Sequence, residues 1–467
     1  MAGKTDGYGE AERLLAERRL NRARFLRLIG AGATLPFIPT SLTAFGARPS
    51  SAQTIGPEIL SEEGEYPIGV WSPPPPSQTN QQRYQEIADA NFNFVIGGNG
   101  ATGNDDHPRT LAAAEAAGLQ FLLTDNILQN AVNGEVSPDR QEAVTKRLEN
   151  LLDDYGTSPA LAGLNLYDEP NSRLFGILAY TKGELQRLAP QELPYVNVWP
   201  SYAAPKALGA RTYGKYLNRY FSTVNPPLLS FDHYPLLSKG ITSDYFYNWA
   251  VIRNFSRRFG VPSWGFIQSG GFYGPRIGLA RRRRPTENEL FWQINVALAY
   301  GAKGLQYFTY WTPVNPQIQF GNALISGNGD LTDLYYSATR ANDYLRKVGG
   351  QLLPLKSESV MHAKERRLPR GAKAFKADDY VESVIGDPVV MGKFFRNTVE
   401  DTDRYLLVAN RSLANVANTR LTLFGSVINV SRFDLAAEDF IPATLEGRTL
   451  PLRLGAGRAE LYRLSTA

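Results

Sequence analysis

Asp168 and Glu169 stand side by side at the end of an apolar run, Leu164–Asn171, that reads LNLYDEPN. A neutral carboxyl can protonate a leaving oxygen, and an ionised one can face developing positive charge or activate water. Two such groups flanking one bond can share the general acid and base work of breaking it. Pro170 follows and disfavours helix at Glu169, so the pair marks the end of a strand. Asp232 is a second acid of this kind, in SFDHYP with His233 and Tyr234. Asp125 and Asn126 in LLTDN are a third group, although Asx residues also shape turns. Asn99, Asn197, Gln268 and Thr309 likewise end apolar runs. With three His and no Cys there is no thiolate chemistry, no disulfide and no spacing that suits a catalytic metal. His233 reads as a hydrogen-bonded polar residue.

The elements that must position these groups follow a regular order. From Tyr66 onward, eight short apolar runs alternate with helical segments. The runs are Pro67–Trp71, Phe94–Asn99, Phe121–Asn126, Leu164–Pro170, Tyr195–Pro200, Leu228–Pro235, Ser263–Ser269 and Gly304–Trp311. Eight strand–helix units predict an α/β fold, a (β/α)8 TIM barrel over residues 55–350. Near-continuous apolar strands suit a parallel sheet buried on both faces. An open doubly wound sheet fits less well, because no glycine-rich phosphate turn follows the first strand. The polar residues fall at the C-terminal strand ends, the face where barrel active sites lie. Glu287 and Glu289 fail that positional filter. Thr286 and Glu289 have the spacing of a capping box, and Ser137–Pro138 that of a helix start. Past residue 350 the texture changes to β-rich runs such as YLLVANRS, TRLTLFG, VINVSRFDL and AELYRLS. This predicts a C-terminal antiparallel β-sandwich over 351–467, read as a packing module.

The chain has 467 residues, 43% of them hydrophobic, enough for a large core. Its net charge of +5 comes with no basic stripe interleaved with aromatics, so no nucleic-acid partner is expected. The run Arg281–Arg284 reads as a solvated surface, or else as a contact for an acidic glycan. Residues 1–54 differ from the rest. They carry RRLNRAR, then a mild Gly/Ala-rich segment beginning FLRLIG, and small residues from Ala44 to Ala52. This layout resembles a twin-arginine export signal, with Ala23 in place of the second arginine. It implies a secreted or cell-envelope protein. Pro36 and Pro39 argue against a spanning helix and stable membrane insertion. Nothing in the sequence speaks to oligomeric state.

Aromatics also crowd the strand ends: Trp71, Tyr167, Trp199, Tyr202, Tyr234, Trp264, Tyr273, Tyr310 and Trp311. Flat apolar rings suit the C–H faces of sugars, although core packing claims many of them. Trp199 and Trp311 are the preferred platforms.

With YDEP at strand four, SFDHYP at strand six and GAKGLQYFTYW at strand eight, the chain resembles clan A glycoside hydrolases of the β-galactosidase, β-xylosidase and cellulase type. The likeness covers roughly residues 60–467 at the level of architecture. It implies that Glu169, the Glu of an Asn-Glu-Pro motif in which Asp168 replaces Asn, is the general acid/base. It also implies a nucleophilic Glu at the end of strand seven, where this chain has Gln268. An amide is a far weaker nucleophile than a carboxylate. Three readings follow. Glu169 works with Asp232; or Asp168 or Asp125 is the second carboxylate; or the site binds sugar without cutting it. Adjacent strand residues face opposite ways, which disfavours Asp168 with Glu169 and favours Asp232. Substrate contacts are expected from Asp168, Asp125, Asn126, Asn197, Trp199, His233, Tyr234, Gln268, Tyr310, Trp311 and Trp71. The expected function is an exported glycoside hydrolase acting on an oligo- or polysaccharide without a cofactor. The alternatives are a glycan-binding barrel without catalysis and a transglycosylase.

Overall fold

The computed structural model describes residues 56–274, 279–398 and 402–466. The signal-like segment, residues 1–54, lies outside them. Eight parallel strands close a barrel. They are β1 (Ile68–Trp71), β2 (Phe94–Ile96), β3 (Gln120–Leu123), β4 (Leu161–Asp168), β5 (Leu193–Val198), β6 (Leu229–Phe231), β7 (Ser263–Gln268) and β10 (Gly304–Phe308). Between the last two sits a hairpin, β8 (Phe272–Gly274) and β9 (Leu279–Arg282). The ring runs β1-β10-β7-β6-β5-β4-β3-β2. Each strand falls on one of the eight apolar runs. Phe94, Leu122, Leu193, Tyr195, Trp264, Phe266 and Phe308 fill the barrel interior. Gly69 lets the Phe94 ring lie against the β1 backbone: a β-carbon there would sit 2.2 Å from that ring. Side-chain layers of this kind make the barrel a packed core rather than a pore.

The helix starts follow the sequence signals. Ser137 caps the helix Pro138–Tyr155 with Pro138 in its first turn. Thr286 and Glu289 form a capping box at the head of Glu287–Ala299. Two features were not visible in the run pattern. One is the small sheet β11-β8-β9, with β11 at Gln319–Phe320, built from strands of two to four residues. The other is a short helix, Asn126–Val132, straight after β3.

The helix Asp333–Leu352 ends the barrel, and the C-terminal module begins at β12 (Leu355–Ala363). It continues with β13 (Val381–Gly386), β14 (Val389–Arg396), β15 (Arg404–Asn410), β16 (Ala417–Leu423), β17 (Val427–Asp434), β18 (Asp439–Pro442), β19 (Thr449–Leu454) and β20 (Ala459–Thr466). A six-stranded sheet, β12-β14-β15-β20-β17-β18, faces a three-stranded one, β13-β16-β19. Val389, Leu406, Val408, Leu421, Leu452 and Leu464 pack between them. The module docks on the barrel helix Glu287–Ala299. The Trp292 indole N–H donates to the Arg411 carbonyl at 3.1 Å, and Asn295 Nδ2 to that of Gly457 at 2.8 Å. Among the described residues, no helix is long and apolar enough to cross a membrane.

Candidate active site

A cavity of about 570 Å³ opens at the C-terminal ends of β1 to β5, within the range of small-molecule sites. Of the residues singled out in the sequence, Trp71, Asn99, Asn126, Tyr167, Asp168, Glu169 and Trp199 line it. No residue of the C-terminal module does.

Glu169 lies just past the end of β4, only 4% exposed, with backbone φ of 50°. Left-handed backbone in a non-glycine residue costs of order 1–3 kcal/mol and persists only where the surroundings hold it. Here the Glu169 N–H donates to the Asn197 carbonyl at 2.7 Å, and Pro170 blocks the ordinary helical alternative. Strand β4 also carries a bulge. Its pairing with β5 jumps from Asn165–Tyr195 to Tyr167–Val196. Leu166 and Tyr167 both pack into the outer, helix-facing core. Strict alternation placed Asp168 and Glu169 on opposite faces, and the structure corrects this. With the bulge and the left-handed turn in place, both residues line the cavity.

Asn197 on β5 ties the acids together. Its Nδ2 donates to Asp168 Oδ1 at 3.1 Å and to Asp232 Oδ1 at 3.2 Å. Those two oxygens therefore lie within about 6.3 Å of each other, the sum of the two bonds. The Ser230 hydroxyl donates to Asn197 Oδ1 at 3.0 Å, and Gln306 Nε2 to Ser230 Oγ at 3.0 Å. This fixes the amide so that its N–H groups point at the carboxylates. Asp232 is 3% exposed and, like Asn197, is not among the residues that line the cavity.

The remaining candidates sit elsewhere. Asp125 is buried, caps the helix Asn126–Val132 through Leu128 N–H at 2.7 Å, and pairs with Arg147 Nη2 at 2.6 Å and His107 Nε2 at 3.1 Å. Burial works to raise its pKa, but the hydrogen bonds from His107, Arg147 and Leu128 outweigh it and bring the carboxyl down to about 2. A depressed carboxyl contributes stability above its unfolded pKa and loses it as pH falls through the folded one. Asp125→Asn is therefore expected to lower Tm at neutral pH, and the gap to wild type should close between about pH 4 and pH 2. Melting curves across that range check this.

His233 is buried with both ring nitrogens engaged, Nδ1 with Asn248 Oδ1 at 3.0 Å and Nε2 with Thr242 Oγ1 at 2.7 Å. Tyr234 stacks on Phe308 with ring centroids 5.0 Å apart. Tyr310 packs edge-on against Phe92, and Trp311 takes the Arg83 guanidinium over its face at 5.4 Å. Gln268 is fully buried. Its Nε2 donates to the carbonyls of Arg283 (2.7 Å) and Leu236 (3.3 Å), and its Oε1 accepts from the Leu236 N–H at 2.8 Å. It holds the loop after β6 to the hairpin strand β9, and it does not line the cavity. Among the described residues, no three His, Asp or Glu side chains are grouped to hold a metal.

Several lining residues were missed: Gln129, Asn130 and Asn133 join Asn126 in the lining. Their spacing of i, i+3, i+4, i+7 in NILQNAVN is the helical period, carried by amides instead of apolar residues. That stripe was the signal available. Asn165, Arg173 and Lys206 also line the cavity. Asn165 Oδ1 and the Trp199 indole nitrogen are buried and have no hydrogen-bond partner among the described residues.

Fold and site together define a class: a (β/α)8 barrel with carboxylates on its C-terminal rim and a β-sandwich module packed beside it. No protein-family model matches the sequence, and no curated protein matches it. Solved structures do. A β-galactosidase from Bacillus circulans sp. alkalophilus superposes with a TM-score of 0.57 at 9% identity, covering 86% of this chain and 99% of its own. A catalytic mutant of a GH42 β-galactosidase from G. stearothermophilus gives 0.58 at 9% identity, over 88% and 100%. The β-galactosidase of the psychrophilic Marinomonas ef1 matches 64% of this chain at 12% identity with a TM-score of 0.47, so the chain spans a little under two thirds, 63%, of that relative. The barrel-plus-sandwich fold is thus shared with these two β-galactosidase structures.

Proposed function

We propose that this chain is a glycoside hydrolase that cuts an oligo- or polysaccharide in the cavity at the ends of β1 to β5, with Glu169 as general acid/base. The observation that carries the reading is Glu169 itself: an acid on the C-terminal rim of a closed barrel, in strained backbone, in the wall of a polar cavity. Glu169 gives its proton to the glycosidic oxygen as the bond breaks. The sugar ring then carries positive charge, and Asp168, aimed by Asn197, is the cavity-facing carboxylate available to meet it. Asp232 braces the same amide. Trp199 and Trp71 offer flat apolar faces, and the amide stripe offers paired donors and acceptors to vicinal hydroxyls. The Trp199 indole N–H and Asn165 Oδ1 each have a bond left to make, and a sugar hydroxyl satisfies both kinds. The signal-like N-terminus supports work outside the cytoplasm.

A glycan-binding role without cleavage is the second reading. Gln268 favours it, because the end of β7 offers an amide engaged by backbone in place of a nucleophile. A panel of galactans, xylans and β-glucans separates the two, with galactosides first because two structural neighbours are β-galactosidases. New reducing ends are the expected result. Products longer than the substrate mark a transglycosylase, and binding without any product overturns the hydrolase reading.

A further inference from the structure

The most basic stretch of sequence, Arg281–Arg284, is largely occupied within the protein. Arg283 pairs with Glu289, Arg284 Nη2 with Asp333 at 2.7 Å, and Arg281 lies over the Tyr273 ring at 5.3 Å. The cavity has other cations. Arg173, in the turn Ser172–Leu174 after β4, and Lys206, in the short helix Pro205–Leu208 after β5, both line it. Among the described residues neither forms an ion pair.

The two loops are bound to each other. Asn171 Nδ2 donates to the carbonyls of Lys206 and Ala207, both at 2.9 Å, and Ser172 Oγ to that of Gly209 at 2.8 Å. Arg219 Nη1 reaches the same Ser172 hydroxyl at 3.4 Å. The composition of this stretch is one-sided. Between Glu192 and Asp232 there is no acidic residue, and there are four basic ones: Lys206, Arg211, Lys215 and Arg219. Like charges held on neighbouring loops repel, and a shared anion converts that repulsion into attraction. An arginine fork and an ammonium in one lining suit a carboxylate or sulfate group.

We infer that the sugar bound beside Asp168 and Glu169 is anionic, a uronate or a sulfated residue of a polysaccharide, with its charged group on Arg173 and Lys206. The amide stripe in the same lining carries no charge and suits the hydroxyls. The inference rests on the glycan reading of this cavity.

Binding tests it without depending on cleavage. The full chain carrying E169Q is titrated with polygalacturonate, a sulfated galactan and a neutral galactan. At least one anionic polymer is expected to bind about tenfold or more tightly than the neutral one, and that advantage should shrink about tenfold between roughly 20 and 200 mM salt. Whichever polymer is retained names the source of the charge. The double variant R173Q/K206Q should erase the preference, bringing anionic and neutral polymers to equal affinity, with Tm unchanged. Because a basic protein attracts polyanions generally, preference that survives in the double variant overturns the proposal. So does equal affinity for neutral and anionic polymers. Failure of the hydrolase reading would show separately, as wild-type protein releasing no reducing ends from any polymer.

Discussion

Glu169→Gln removes hydrolysis by about a thousandfold or more on natural glycosides while the melting temperature stays put. The isosteric amide keeps the shape of the buried site but has no acidic proton to give. On an aryl glycoside with a good leaving group the loss should be far smaller, because that leaving group departs without protonation. Asp168→Asn is expected to be as damaging on both kinds of substrate, since it removes the cavity-facing negative charge. Asp232→Asn should cost less, about ten- to a hundredfold, by loosening the Asn197 amide that aims Asp168. Initial rates on matched natural and activated substrates read all three. If Asp232→Asn proves the more damaging of the two aspartate variants, the charged role passes to Asp232. Full activity in Glu169→Gln would end the assignment.

Gln268→Glu, the substitution that places a carboxylate where the clan's nucleophile stands, is expected to unfold the site rather than improve it. The Gln268 amide nitrogen donates to two carbonyls, those of Arg283 and Leu236. An ionised carboxylate has no proton for either, so it would face two acceptors in a fully buried setting. Leaving a buried charge uncompensated costs about 3–5 kcal/mol, which in a chain of 467 residues corresponds to a fall in Tm of roughly 3–5 °C. The sign with pH follows. Burial and the facing carbonyls raise the introduced carboxyl's folded pKa above its unfolded value near ~4.3. The penalty is thus smallest below that value and grows as pH rises through the folded one. Melting curves of the variant at about pH 4 and about pH 8 should differ by more than those of wild type. A variant as stable as wild type at both, with a gain in hydrolysis, would show that the end of β7 is part of the reaction centre after all.

The barrel was legible because it is written in local terms. Eight apolar runs, each ending in polar residues, set the count and direction of the strands, since strands buried on both faces must be apolar along their length. The same logic placed Asp168 and Glu169 at a strand end on the functional rim. In the C-terminal module only β15, β16, β17 and β20 had clear runs. Strands such as β13, with two of its six positions buried, and β18, with none of its four, bury too little to stand out.

The sequence by itself therefore determined the fold class, the rim on which chemistry is to be sought, and the acidic pair that closes β4. Only the tertiary structure decided which rim residues share a space. Side-chain direction in β4 depends on a bulge whose existence is defined by pairing with β5. The link between Asp168 and Asp232 passes through Asn197, on a third segment of chain. Gln268, His233 and Asp125 looked like ligands because each is polar at a strand end, yet their bonding capacity is spent on Arg283, Asn248 and Arg147, contributed by distant loops and helices. A polar residue's type is local. Whether another part of the chain engages its hydrogen bonds is a long-range fact, and in this barrel that fact separates the cavity wall from the scaffold behind it.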